Sequence, residues 1–558
     1  MRYCVFLSFF LATSGLAQST NAPLNEDYQH WIDRYEVKAG RIAPEMFSAI
    51  KPYKRKAIVS FLDSIAAKDQ VFTSAADRGN IEFLKNDNWE WSKSNTNASR
   101  PIWKYFYKKK SDFVHVEKPD FDLHVNPVLY TGLGKDSRSD QLTNFNTRGF
   151  EIRGMIDNKI GFYTYVTENQ SLLPAYVRDQ LVVNPVLPHE TFWKKYKQNG
   201  VDFFQARAYI DFNISKHIYF QFGQDRTFMG NGYRSLIFSD YSPPNLFLRT
   251  NLKVWKINYL FQLNRLTADA FGTVGGSTDS VYPDKYMAFH HASINIGKKF
   301  NLGVFESVVF SPKDSLSNAN FDPAYLNPVI FYRAVEQQTG SGNSNVLLGA
   351  DVKWNARKGL SFYGQFVLDE FLIKEILAGK GWWANKFAFQ TGIKLVDVAG
   401  ISNLDVQLEA NYIKPYTYSH SSYSSYTNFR QSLVHPMGAN LIELVGIIRY
   451  QPTAKLNFVS KTFSTTIGRD ETGKNYGGDL MKSNTTRANE YGNFTGQGVN
   501  NTILFSELTA SYRLKQNLFV DLKQLTRISK STDAFYNNNT SWTSLSIRLN
   551  IASRNYDF

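Results

Sequence analysis

Beyond residue 119, apolar and polar side chains alternate one for one along many stretches of the chain. Phe387, Phe389, Thr391, Ile393 and Leu395 interleave with Lys386, Ala388, Gln390, Gly392 and Lys394. Leu404, Val406, Leu408, Ala410 and Tyr412 interleave with Asp405, Gln407, Glu409 and Asn411. Leu545, Ile547, Leu549 and Ile551 do so with Ser544, Ser546, Arg548 and Asn550. A period of two belongs to β-strands, whose successive side chains point to opposite faces. One face here is apolar while the other carries Lys, Asp, Glu and Arg, which suits a sheet set between hydrocarbon and water. At such a boundary only a closed barrel leaves no backbone group unpaired.

Spanning by helices is excluded. A transmembrane helix needs about 20 apolar residues in a row, and the longest apolar stretch past the start, Leu441 to Ile448, is broken by Glu443 and Gly446. Mean hydropathy is only −0.35 although aromatics reach 15%. A membrane barrel reconciles the two, because only alternate residues need be apolar.

Residues 1–17 read as a secretory signal peptide, with Arg2, the apolar stretch Val5 to Ala12, and Gly15-Leu16-Ala17 ahead of Gln18. The only cysteine, Cys4, falls within it. Disulfides and thiolate metal sites are thereby excluded from the mature chain. The net charge of +14 fits nucleic acid, anionic headgroups or an acidic polysaccharide as partner, or a basic lumen and rim with no dedicated ligand, and export argues against nucleic acid.

The expected fold class is an all-β transmembrane barrel of about 18 antiparallel strands, with a small N-terminal periplasmic helical region. Its divisions are 1–17 as signal peptide, 18–118 as helical region and 119–558 as barrel. Trp31, Ile32, Tyr35 and Val37 mark one short helix. Pro44-Glu45-Met46 resembles a helix start, and Ile58, Phe61, Leu62 and Ile65 form a stripe on a longer helix that carries Lys51, Lys54, Arg55 and Lys56. Ala75 to Leu84 makes a third. Lying ahead of the first strand, these helices belong on the periplasmic side, as a plug or bundle at the barrel floor.

Short joints such as Asp157-Asn158-Lys159, Lys298 to Asn301, Arg357-Lys358-Gly359 and Leu514 to Asn517 suit periplasmic hairpins. Longer polar segments, Leu172 to Asp202, Ser311 to Asn345, Pro415 to Gly438 and Thr466 to Asn501, read as extracellular loops. The final Asn555-Tyr556-Asp557-Phe558 reads as the aromatic close of a last barrel strand.

No catalytic constellation is found. His189-Glu190 lacks the second histidine that a zinc-protease helix requires, and His290-His291 point to opposite faces of a strand. Gly272 to Gly276 and Gly340-Ser341-Gly342 lack the Gly-Lys-Ser/Thr of a phosphate loop. Asp405 and Glu409 balance lumen charges. The chain is expected to be no enzyme and to carry neither metal nor cofactor.

The most distinctive segment is Phe222 to Arg249. Gly230-Asn231-Gly232 permits a tight turn or close backbone approach, and Asp225, Arg226 and Arg234 bring charge to the lumen. This segment resembles the Wzi family of capsule-assembly outer-membrane proteins: a strand ending in Gly, a polar residue and Arg, a Gly-rich stretch, a Ser-Leu pair, a Ser-Asp/Asn turn and a proline segment. Gly223, Arg226, Gly230, Gly232, Ser235-Leu236, Ser239-Asp240 and Pro243-Pro244 stand in those places. A second stretch is similar: His290-His291, Glu306, Tyr325 to Pro328, Leu347 to Trp354 and Tyr363 to Glu370. The likeness runs from Pro119 to Phe371. It implies a barrel of about eighteen strands, a periplasmic helical bundle and a non-enzymatic role in anchoring or assembling surface polysaccharide. The aromatic-rich style also resembles Bacteroidota barrels of RemB type, which implies a gliding-motility or adhesion apparatus with protein partners. A passive diffusion channel is the third reading.

A polysaccharide needs aromatic faces for its rings and cationic groups for its carboxylates. Trp382 and Trp383, which equally fit an aromatic girdle at the membrane interface, and Tyr416, Tyr418, Tyr423, Tyr426 and Arg430, on what reads as an exposed loop, are candidates, with Arg226 and Arg234 as lumen charges and Asp225 holding one of them in place. Lipid and lipopolysaccharide of the outer membrane complete the expected partners.

Overall fold

The computed structural model describes residues 19–68, 71–94, 96–268, 272–273, 280–281, 283–310, 323–339, 344–420 and 423–558. The expected signal peptide with Cys4, the end of the Gly272–Gly276 stretch, Gly340-Ser341-Gly342 and part of the Ser311–Asn345 loop lie outside these residues.

Among the described residues, eighteen antiparallel strands close into a barrel. They are β1 (Phe121–Asp136), β2 (Thr143–Ile156), β3 (Ile160–Leu172), β4 (Gly200–Asn213), β5 (Ile218–Asp225) and β6 (Asn245–Val254). Next come β7 (Ile257–Thr267), β8 (Asp284–Ile296), β9 (Phe300–Phe310), β10 (Asn345–Arg357), β11 (Leu360–Glu370) and β12 (Lys386–Leu395). The last six are β13 (Leu404–Ile413), β14 (Leu441–Tyr450), β15 (Leu456–Arg469), β16 (Val499–Lys515), β17 (Leu518–Ser531) and β18 (Asn538–Leu549). Each pairs with its neighbour in sequence, and β18 closes on β1 from Trp542↔Asp136 to Leu549↔Leu129. Below that closure a short strand, Val114–Lys118, pairs with Phe121–Val125 and fills the lower edge of the wall.

The alternation falls as the sequence phases it. Leu133, Phe204, Val304, Leu408, Leu444, Leu522 and Leu545 are exposed on the outer wall, while Asp405, Glu409, Lys386 and Arg548 are buried inside. No helix among the described residues is long and apolar enough to cross a membrane. An apolar outer wall, closed by hydrogen bonds all round, is the architecture of an outer-membrane barrel. Asp157 and Asn158, at φ 54° and 52°, form the left-handed turn that matches hairpin twist. By the same rule of short periplasmic turns, the long connections lie outside the cell.

Three helices fill the short-turn end: α1 (Glu26–Ala39), α2 (Arg55–Lys68) and α3 (Ala75–Asp87). Asn25 caps α1 by accepting the Asp27 and Tyr28 N–H groups, and Ser74 with Asp77 forms a capping box on α3. Their shared core includes Trp31, Ile32, Tyr35, Phe61, Leu62, Ile65 and Phe83. The bundle is sewn to the wall. Lys353 meets Asp33 at 2.6 Å and Glu36 at 2.5 Å, Arg449 and Lys461 hold Glu26 at 2.7 and 2.6 Å, and Arg34 pairs with Asp77, Asp397 and Asp405. The Gly359 N–H donates to the Val37 carbonyl at 3.0 Å, joining helix to turn.

Two expectations for this region are corrected. Pro44-Glu45-Met46 is a turn, held by the Lys253 ammonium donating to the Pro44 and Glu45 carbonyls. The longer helix begins only at Arg55, because Pro52 disfavours helical backbone just before it. Lys51 therefore lies on a two-residue strand, Ile50–Lys51, paired with Phe228–Met229 inside the lumen, and Lys54 precedes the helix.

Candidate functional site

After Asp225 the chain leaves the wall and crosses the lumen before rejoining it at Asn245. The crossing is anchored by Phe228–Met229 against Ile50–Lys51 and by Leu236, Ile237 and Phe238, which are fully buried in an apolar cluster with Phe289, Phe305 and Val309. Backbone conformation requires the first glycine of the Gly230-Asn231-Gly232 turn, and the Arg234 carbonyl, 2.7 Å from a Cβ on Gly232, requires the second. A Cβ on Gly230, at φ +132°, would lie 2.3 Å from Gln365 Nε2, and one on Gly232 would lie 2.6 Å from Glu409 Oε2. Gly223 lets β5 lie against β4, since a Cβ there would sit 2.3 Å from Tyr209.

Arg234 is the hub of this segment. Its guanidinium meets Glu443 at 3.0 Å and Asp557 at 3.3 Å, and it donates to the Asp557 carbonyl at 2.6 Å. The backbone N–H groups of Tyr233 and Arg234 donate to Glu409 at 2.7 and 3.1 Å. Asp405 and Glu409, both inward, thus serve different elements, the first holding α1 and the second the lumenal crossing.

Asp557 belongs to a segment expected in the wall and found elsewhere. The last strand ends at Leu549, and residues 551–558 turn back up the lumen instead of closing the wall. Arg554 donates to Thr147 at 3.0 Å, Asn555 to Glu26 at 3.1 Å, and the Tyr176 hydroxyl to the Tyr556 carbonyl at 2.6 Å. The Phe558 ring packs near Tyr176 and Tyr241 at 6.0 and 6.4 Å, and Arg527 donates to its carbonyl at 2.9 Å. Polar residues before Phe558 find polar or charged partners inside, which lipid could not supply.

Between crossing, tail, helices and wall lies a cavity of 340 Å³. Arg226, Arg234, Arg207, Arg554, His189, Glu190, Tyr163 and Tyr165 are among the residues lining it. Arg226 reaches Glu190 at 3.4 Å and the His189 carbonyl. Asp225 accepts the Arg226 backbone N–H at 2.8 Å, but its ion pair is with Arg207 at 3.6 Å. Asp225 thus touches Arg226 through the backbone and neutralises Arg207 with its charge. Burial, and then the positive charge of Arg226, push the His189 imidazole down to about 4.

The external candidates divide. Tyr416, Tyr418 and Tyr426 are fully buried, their hydroxyls donating to the carbonyls of Asn475, Leu236 and Ile237. They fasten the loop at 414–440 down into the barrel mouth, so the reading of an exposed tyrosine loop does not hold for them. Tyr423 is half-buried, and Arg430 donates to Asn184 at 3.1 Å. Trp382 and Trp383 stand on the connection between β11 and β12, half-exposed. Both indole N–H groups donate to Glu490, at 3.1 and 2.9 Å, and the Arg487 guanidinium lies 4.3 Å from the Trp383 ring centre. Two long loops are thus clasped into one platform, with Tyr491 and Phe494 exposed beside Glu490 in sequence.

His290 and His291 face opposite sides, pairing with Glu306 at 3.0 Å outside and Asp351 at 2.5 Å inside. Among the described residues no group of three His, Cys, Asp or Glu is arranged for a metal ion. Sequence reasoning missed Arg207, Glu190, Glu443, Arg554 and Asp557. The polar phase of the strands flags Arg207 and Glu443, whereas nothing local marks a tail that turns inward.

No protein-family model and no curated protein sequence matches the chain. Among solved structures, 96% of the chain superposes on 99% of an Escherichia coli protein, Wzi, with a TM-score of 0.56 at 13% identity. That protein is described as an outer membrane protein involved in group 1 capsule assembly and as a carbohydrate binding beta-barrel. Pseudomonas aeruginosa OccK3 aligns over 76% of this chain and 95% of its own, with a TM-score of 0.41 at 11% identity. Acinetobacter baumannii OccAB2 aligns over 76% and 97%, with a TM-score of 0.42 at 9% identity. At these identities the likeness to Wzi is one of fold.

Proposed function

We propose that this barrel anchors or assembles an extracellular polysaccharide at the cell surface and performs no chemistry on it. The observation that carries the reading is the occupied lumen. Helices α1–α3 fill its periplasmic end, the crossing at 226–244 and the tail at 551–558 fill its middle, and buried tyrosines draw the loop at 414–440 over the mouth. A barrel blocked in this way is poorly suited to passive diffusion, and its free surface is the clasped loop platform. Trp382 and Trp383 supply ring faces for sugars, Arg487 a guanidinium for carboxylates, and Glu490 the fixed acceptor that holds both indoles. The fold shared with a carbohydrate-binding barrel of capsule assembly supports the same reading.

Deleting the gene and staining for capsule tests it. Polysaccharide released into the medium by the deletion strain is the expected result. Full retention of capsule with loss of surface spreading would overturn it in favour of a gliding or adhesion role.

A further inference from the structure

The surface reading makes no use of the internal cavity, yet that cavity is built unlike a space left over from packing. We propose that it is a binding site for a small carboxylated sugar, held by Arg207, Arg226 and Arg554. The choice of a sugar rests on the surface-polysaccharide reading; the choice of an anion rests on the charges alone.

Of the guanidiniums that line the chamber, three (Arg207, Arg226 and Arg554) stand near only two carboxylates that could neutralise them. Arg207 has Asp225 at 3.6 Å and Arg226 has Glu190 at 3.4 Å, both long for a charge-assisted hydrogen bond. No salt bridge among the described residues reaches Arg554, whose guanidinium donates instead to the neutral Thr147 and Asn169. Glu190 is already shared, since Gln205 donates to both of its oxygens at 2.9 Å. The other acids of the chamber are engaged elsewhere: Glu26 with Arg449 and Lys461, Asp27 with Arg548, Asp33 with Lys353 and Lys394, Asp87 with Arg55, and Asp557 with Arg234. Glu151 is 3.9 Å from Arg55, and burial pushes the Asp240 carboxyl up toward its neutral form. One positive charge is left over among the three arginines, and a carboxylate bound between forked guanidiniums would balance it.

The second observation concerns unmade hydrogen bonds. Buried polar atoms normally find partners. Residues lining this one chamber nevertheless carry Tyr163 Oη, His189 Nε2, Ser553 Oγ, Arg207 Nε and Arg226 Nε without one. Tyr163 itself is only 4% exposed. A polyhydroxylated ligand offers both donors and acceptors to such a set. Aromatic surface is present too, with Tyr165 beneath Arg207 at 4.1 Å and Tyr241 beside His189 at 4.9 Å. The volume of 340 Å³ falls in the range of small-molecule sites.

Thermal unfolding of the purified full chain in detergent, with glucuronate, glucose or acetate added, is the test. Glucuronate is expected to raise the melting temperature in a saturable way, with glucose and acetate giving much smaller shifts. Arg554→Gln and, separately, Arg226→Gln are expected to weaken glucuronate binding by about tenfold or more. Equal shifts with acetate and glucuronate, no shift with glucuronate, or unchanged affinity in either folded variant would overturn the proposal. Should glucuronate prove inert while the deletion strain still sheds its capsule, the cavity assignment falls and the surface role stands.

Discussion

Arg234 and Glu443, 209 residues apart in sequence, meet at 3.0 Å in the middle of the lumen with both side chains buried. This pair joins the lumenal crossing to the wall, and Asp557 adds the tail to the same guanidinium. Removing the arginine takes the shared guanidinium from two buried carboxylates at once, leaving Glu443 with only His435 at 2.9 Å and Asn411 at 3.2 Å. Arg234→Ala is expected to cost about 3–5 kcal/mol of stability. Adding Glu443→Gln should return part of that loss by neutralising a stranded carboxylate, as read from the unfolding temperatures of the intact chain and the two variants in detergent.

The tail has its own test. The intact chain is expected to pass almost no current in a planar bilayer, and deletion of residues 551–558 is expected to produce measurable ion conductance. An equally silent, folded deletion variant would show that the crossing and helices seal the lumen without the tail.

Acidification should loosen the interior in two separable windows. The folded His189 lies near 4, below its usual value near 6.5, so the folded state binds that proton more weakly than the unfolded state. Its share of stability is present above pH 6.5 and lost as pH falls toward 4. Glu26 resists burial, which raises it, because Lys461 and Arg449 draw it down to about 2. Its share is present above pH 4.5 and lost between there and 2. His189→Asn should flatten the first step of a stability-against-pH curve, and Glu26→Gln the second.

At the surface, Trp382→Ala with Trp383→Ala removes two ring faces while leaving the barrel wall untouched. Retention of polysaccharide by cells should fall by about thirtyfold, at roughly 1 kcal/mol for each of the two lost stacking contacts. The unfolding temperature of the barrel should stay the same.

Backbone freedom matters at Gly230. Its φ of +132° and the nearby Gln365 amide leave no comfortable place for a side chain. Gly230→Ala is expected to destabilise the crossing by about 1–3 kcal/mol, read as a lower unfolding temperature and earlier proteolysis in the lumenal segment.

The wall is legible in the amino-acid order because each strand declares its two environments locally. Phe389 and Gln390, or Leu545 and Ser546, are adjacent residues with opposite solvents, and that contrast needs no knowledge of what packs where. The helices are legible for a similar reason, through the stripe of Ile58, Phe61, Leu62 and Ile65. Pro44 misleads because proline marks turns as readily as helix starts. The tyrosines at 416, 418 and 426 mislead because their serine-rich setting looks solvated, while their burial depends on partners up to 189 residues distant.

Taken by itself, then, the amino-acid order determined a closed membrane-spanning sheet, its count of about eighteen strands and its leading helices, since all of these follow from near-neighbour periodicity. Only the tertiary structure decided that the lumen is occupied, that the final residues turn inward and that Arg207, Arg226 and Arg554 surround one chamber. Those facts depend on charges from remote strands finding one another in a medium of low dielectric, where an unpaired charge is too costly to leave alone, and no local pattern encodes which partner each will find.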